Sequence, residues 1–306
     1  MTSKQSPRSV FGKGQFDYPR RVRMPARNRT HQRPAPADPH RYSIRKRRSK
    51  TFRLSSLSAE AVNAVARARR ALGDRRATPN LAWLTALTGA NRRAIGQVLE
   101  ELEDLIPLEE EIRHRHFAAG RTNYAQIRAP FELYAMVRLL RPRHIVEAGV
   151  SSGVSSAHFL AALARNRTGR LHSIDLPTSQ QAPALGRGES IVAIPPGLET
   201  GWAVPERLRR AWDLRIGPSQ RILPELTAQL DSVGLFLHDD LHTPTHLSFE
   251  LETLRPKLPG GAVVLADNTS WTGEAFPRFA RSVGAPVARR GRGDLVGARL
   301  PSLPHS

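Results

Sequence analysis

Glu147-Ala-Gly149-Val-Ser-Ser152-Gly153 directly follows the apolar run that begins at His144 and precedes a helix-forming segment, Ala157 to Leu163. Glycines let a backbone turn tightly and approach a ligand, and a helix N-terminus offers free amide donors. The Gly-x-x-x-Gly spacing departs from the Gly-x-Gly-x-x-Gly dinucleotide fingerprint. Asp175 ends the next apolar run, about 26 residues beyond Gly149. A carboxylate there can accept both hydroxyls of a ribose, which implies an adenosine-type ligand; the alternative is a turn or cap residue before Pro177. His238, His242 and His246 form a local histidine cluster. A neutral imidazole can take a proton from a substrate hydroxyl because its pKa lies near working pH. For His246 the plainer account is a solvated residue at a helix start.

These residues need strands to end where they stand. Short apolar runs at His144 to Ala148, Arg170 to Ile174, Leu214 to Ile216, Gly234 to His238, Ala262 to Ala266, Pro286 to Arg289 and Leu295 to Leu300 alternate with amphipathic helices. That alternation predicts an α/β fold, a doubly wound seven-stranded sheet covered on both faces, over residues 129–306. The last two runs leave no room for a crossover helix, so they should form an antiparallel hairpin at an edge. A right-handed sheet of this kind gathers ligands at the carboxyl ends of its early strands. The Gly-, Pro-, Ser- and Gln-rich stretch from Pro177 to Trp202 reads as a substrate lid. Trp202 and Trp271 stand beside the expected mouth, where an aromatic face could meet a sulfonium or a planar substrate; ordinary packing is the alternative.

Residues 56–128 read as helical. Ser58 can cap a helix running to Leu72, with Gly73 as its stop. Ile95, Val98, Leu99, Leu102 and Ile106 recur at helical spacing before Pro107, with Glu100, Glu101 and Glu103 outside the stripe, which predicts a cap on the sheet or a dimer seam. Leu81 to Leu102, turning at Thr88-Gly-Ala, is also similar to a helix-turn-helix DNA reader, although its second helix runs into acidic residues.

The chain has 306 residues with 47 Lys and Arg against 27 Asp and Glu. Of its formal charge of +20, about +14 falls between Met1 and Arg53, where only Asp17 and Asp38 are acidic. Residues 1–55 lack hydrophobic periodicity and should be a disordered basic tail. It could serve nucleic acid or an acidic partner, act as an Arg-rich transit peptide, or be upstream sequence before a start at Met24. With no cysteine, disulfides, zinc-thiolate sites and thiol nucleophiles are excluded. No stretch approaches a membrane span or a secretion signal, so the expected location is cytoplasmic.

Five segments taken together, Val146 to Ser156, Ser173-Ile-Asp175, Gly217-Pro-Ser219 with Leu223 to Leu226, Phe236 to His242, and Gly260 to Gly273, resemble the class I S-adenosylmethionine-dependent methyltransferases. The pattern is similar to the catechol and caffeoyl-CoA type O-methyltransferases and small bacterial relatives. It covers about Tyr124 to Leu300. The resemblance implies a Rossmann-like methyltransferase sheet with S-adenosyl-L-methionine as cofactor. Glu147, Gly149, Ser152 and Gly153 would line its methionine and sulfonium part, Asp175 would hold the ribose, and Gly217, Pro218 and Ser219 would flank the adenine. In that family an Asp after strand four and an Asp-Asn pair after strand five bind a divalent ion. Asp267 and Asn268 match the pair, while the strand-four position falls on His238. Either Asp239 supplies the carboxylate one place later, giving Asp239, Asp267 and Asn268 for magnesium or a similar ion, or His238 ligates and a transition metal is preferred.

The activity implied is O-methylation of a small-molecule hydroxyl, with His238, His242 and Asp239 at the catalytic centre and in-line alignment as the main source of rate. Two other functions were weighed: methylation of nucleic acid, for which no Asn-Pro-Pro-Tyr-like tetrapeptide is present, and a DNA-binding regulator that senses S-adenosylmethionine. The expected partners are a small-molecule acceptor, a second copy through the helical region, and nucleic acid only through the tail.

Overall fold

The computed structural model describes residues 57–72, 78–120, 129–176, 194–195, 197–291 and 294–302. By its contacts the chain divides into Met1–Ser49 and Lys50–Ser306, and the first unit lies outside the described residues. So do the expected disorder of the basic tail, the helix stop at Gly73 and most of the stretch from Pro177 to Trp202.

Seven strands form one sheet: β1 His144–Ala148, β2 Arg170–Asp175, β3 Trp212–Ile216, β4 Leu235–His238, β5 Val263–Ala266, β6 Val287–Arg289 and β7 Val296–Arg299. Their order is β3-β2-β1-β4-β5-β7-β6. The first five pair in parallel, and β7 runs antiparallel between β5 and β6, so the expected hairpin closes one edge. Each expected strand is present with ends displaced by no more than two residues. The chain winds outward from β1 in both directions, leaving a crevice at the carboxyl ends of β1 and β4 where the winding reverses.

The strands are apolar throughout because both faces are covered. Ile145, Leu171, Leu235, Leu237, Val263 and Leu265 belong to one core with α6 (Val154–Asn166) and α5 (Pro130–Leu140). Val146, Ala148, Phe236, Val264 and Ala266 belong to the other, with α7 (Ser219–Gln229), α8 (Pro244–Leu254) and α10 (Ala275–Ser282). Between β5 and α10 lies the single turn α9 (Thr269–Thr272).

The N-terminal helices α1 (Ala59–Leu72), α2 (Leu81–Thr88), α3 (Arg92–Glu100) and α4 (Ile106–Ala118) share the first core. The Ser58 hydroxyl accepts the Ala61 amide at 3.2 Å, the expected cap. The apolar stripe is not one helix. It passes through a 3-10 turn, Glu101–Leu105, and Pro107 opens α4 instead of ending α3. Proline has no N–H to lose in a first turn, so the same residue that breaks a helix can begin one. Glu101, expected outside the stripe, binds α5, accepting Tyr134 Oη at 2.6 Å and Arg138 Nε at 2.7 Å.

α2 buries Leu81, Trp83, Leu84 and Leu87 against α5 and the β6–β7 hairpin, with Trp83 Nε1 donating to the Ala288 carbonyl at 3.2 Å. The stripe on α3 is covered by α1 and α5 of the same chain. No helix among the described residues is long and apolar enough to cross a membrane.

Candidate active site

Between β1 and α6 the backbone turns through Gly149 at φ 91°, Ser151 at φ 50° and Gly153 at φ 91°. A Cβ on Gly149 would fall inside the Asp239 carbonyl, so that glycine supplies both the dihedral and the space. The close approach is held by Asp239 N donating to Ala148 O at 2.8 Å and Gly149 N to Ile174 O at 2.9 Å. The glycine loop is thereby pinned to the ends of β2 and β4.

Glu147 does not line this loop as expected. Its carboxylate is fully buried toward α6 and accepts Ser155 Oγ at 2.5 Å, Ser156 Oγ at 2.6 Å and Ser173 Oγ at 2.6 Å. Burial pushes its carboxyl up to about 7, with the three hydroxyls opposing and the Asp239 charge adding to the rise. A strand residue one place before the end points at a covering helix, not out of the open edge. Ser152 is also buried, its carbonyl accepting Ala203 N at 2.9 Å, while Gly201 N donates to Ser151 O at 2.8 Å. The segment 197–204 therefore lies on the glycine loop.

Asp175 stands at the end of β2 as expected. One oxygen accepts the Val150 amide at 3.2 Å and the other Thr200 Oγ1 at 2.8 Å. Burial raises its pKa, against Thr200 and the amides of Val150 and Ser151. A ribose hydroxyl would bind in the manner of the Thr200 hydroxyl, a residue that sequence reasoning missed because it lies in a stretch without period. Gly217, at φ 149°, donates its N–H to the Asp175 carbonyl at 2.9 Å, and Pro218 occupies the N-cap position of α7. The half-exposed Ile216 beside them adds an apolar surface that only the fold revealed. Ser219 departs from expectation: it is buried, and its Oγ lies 3.0 Å from His246 Nε2.

At the end of β4, His238 is fully buried, with Nδ1 2.7 Å from Glu250 Oε2 in α8. It is sealed from the crevice and cannot touch an acceptor. The more open residues are Asp239 and His242. His242 Nε2 lies 3.6 Å from Asp239 Oδ1 and 3.4 Å from Asn268 Nδ2, and its ring meets Trp271 edge-on at 6.1 Å. Asn268 takes a left-handed φ of 50° to begin α9, and Asp267 N donates to His238 O at 3.0 Å, which holds the ends of β4 and β5 together. His246 is buried, not solvated, with Nε2 3.0 Å from Asp240 Oδ1 and 3.2 Å from Glu250 Oε1. Burial disfavours its charge, but Asp240 and Glu250 outweigh that and push it up to about 10.

The arrangement fits a divalent ion on Asp239, Asp267 and Asn268 poorly. The His242 imidazole reaches both Asp239 and Asn268, so two of the three expected ligands already have a side-chain partner.

Residues 146–269 match the family model described as a methyltransferase domain. The matched stretch runs from β1 through β5 to the start of α9. Among solved structures, the chain resembles an S-adenosylhomocysteine-bound methyltransferase from Podospora anserina at 12% identity, TM-score 0.43, covering 63% of this chain and 88% of that one. An O-methyltransferase from Bacillus cereus in complex with S-adenosylhomocysteine matches at 15% identity, TM-score 0.43, with 63% and 90% covered. The O-methyltransferase TomG of Streptomyces achromogenes, involved in tomaymycin synthesis and solved with S-adenosylmethionine, matches at 20% identity, TM-score 0.43, with 64% and 89% covered. No curated protein matches the chain.

Proposed function

We propose that the domain transfers a methyl group to a hydroxyl oxygen of a small molecule held at the carboxyl ends of β4 and β5. The observation that carries this reading is the placement of His242 between Asp239 and Asn268, beside the half-exposed Trp271. When bound, the cofactor supplies an electrophilic methyl carbon on a sulfonium. Asp175 and the amides after Gly149 hold the nucleoside end and fix its orientation. The segment 197–204 lies over the glycine loop and keeps water out. Trp271 offers a face to the acceptor, and Asp239 orients His242. The acceptor oxygen attacks the methyl carbon in line, the carbon–sulfur bond breaks toward sulfur, and the hydroxyl proton passes to His242 Nε2, which Asp239 then stabilises as imidazolium. No step runs through a metal on Asp239, Asp267 and Asn268, because His242 reaches across that space. In this reading residues 129–306 are the catalytic domain and 56–128 its helical cap.

The test begins with calorimetric titration of the full chain with S-adenosylhomocysteine, with magnesium and with EDTA, followed by methyl transfer to a panel of small hydroxyl compounds. His242→Gln is expected to lower kcat by about 100-fold, the scale of a lost general base, with cofactor affinity unchanged. Absence of cofactor binding, or full turnover by the variant, would overturn the proposal.

A further inference from the structure

We infer that His238, Asp240 and Glu250, with His246 beside them, form a buried transition-metal site behind the end of β4, separate from the acceptor face. One ligand atom from each of His238, Asp240 and Glu250 lies within 4.8 Å of the others, the span of a single coordination sphere. Of the three, His238 contributes a buried polar atom without a hydrogen-bond partner, Nε2, while Asp240 Oδ1 and Glu250 Oε1 face His246 Nε2. His238 and Glu250 are fully buried, and such an orphaned atom calls for an explanation.

The charges point the same way. Among the described residues, the cationic group facing the two carboxylate oxygens is His246 Nε2, at 3.0 Å from Asp240 and 3.2 Å from Glu250, and Ser219 Oγ lies 3.0 Å from the same nitrogen. Two carboxylates thus face one cationic imidazole, and the cluster is short of positive charge. A divalent cation supplies that charge. One imidazole and two carboxylates are a mixed nitrogen and oxygen set, suited to zinc, manganese, iron or cobalt more than to magnesium or calcium. The Asp240 side chain keeps 20% of its surface exposed, so the cluster is not wholly closed to solvent.

The site is tested on the full chain, stripped with EDTA and titrated with cobalt(II) chloride, by following visible d–d absorption and metal content and then displacing the cobalt with zinc. One Co²⁺ per chain is expected, with affinity retained in Asp267→Asn and weakened by about 100-fold in Asp240→Asn. Glu250→Gln should behave likewise, and circular dichroism reports whether each variant is folded; Asp240, being partly exposed, carries the test if Glu250→Gln does not fold. The readout is independent of methyl transfer, so failure of the proposed O-methylation leaves it standing. Uptake of no Co²⁺ by the wild type, or loss of binding in Asp267→Asn but not in Asp240→Asn, overturns the inference.

Discussion

Glu147→Gln isolates the one fully buried carboxylate bound only by hydroxyls. In the unfolded chain this carboxyl has its ordinary value of 4.5, and in the fold it is pushed up to about 7, by burial first. Below both values it is protonated in either state and adds no pH dependence. Between them the fold keeps a proton that the unfolded chain has released, so the unfolded state binds fewer protons and stability falls as pH rises. Above about 7 the full penalty is present, about 3 kcal/mol for a shift of this size. Glutamine has nearly the same shape and no charge, and the Ser155, Ser156 and Ser173 hydroxyls can both donate to it and accept from it. Urea unfolding of both proteins across about pH 4.5 to 7.5 reads the difference directly, and contributions from all other groups cancel. The stability of the variant relative to the wild type should climb by about 3 kcal/mol over that window. A difference that is flat, or that falls, would refute the account of Glu147 as a carboxylate held against its burial.

Asp175→Asn removes a charged acceptor for Val150 and Thr200, and is expected to weaken S-adenosylhomocysteine by about 10- to 100-fold in calorimetry; unchanged affinity would remove Asp175 from the cofactor site. Gly149→Ala meets both a φ of 91° and the Asp239 carbonyl, so it should give no cooperatively folded protein by circular dichroism. A thermal transition equal to the wild type's would show that the loop can move away from β4. Trp271→Ala should raise the acceptor KM by about 3- to 10-fold with cofactor affinity intact, the scale of a lost aromatic face. A fall in cofactor affinity instead would move Trp271 to the other side of the crevice.

The strands, the edge hairpin, the glycine loop and the strand-end Asp175 were legible in the sequence because each has a local signal. An apolar run bounded by turn residues marks a strand wherever it packs, and Gly149 and Gly153 mark a turn that few other residues can make. Side-chain direction and long-range partners were not legible. Whether Glu147 faces a cofactor or three serines depends on which helix covers β1, and α6 reaches it only once the crossover is built. Ser219 and His246 are 27 residues apart, and no spacing rule says that the start of α7 and the first turn of α8 converge. Glu250 reads along the chain as an ordinary helix acid; in the fold it is buried between two histidines. His238, chosen from sequence for catalysis, is sealed behind the strand end, while His242, four residues later, stays beside Trp271. Local periodicity determines where a strand ends. Only the packing of α6, α7 and α8 against the two faces decides which end residues meet water and which are left to neutralise one another in the interior.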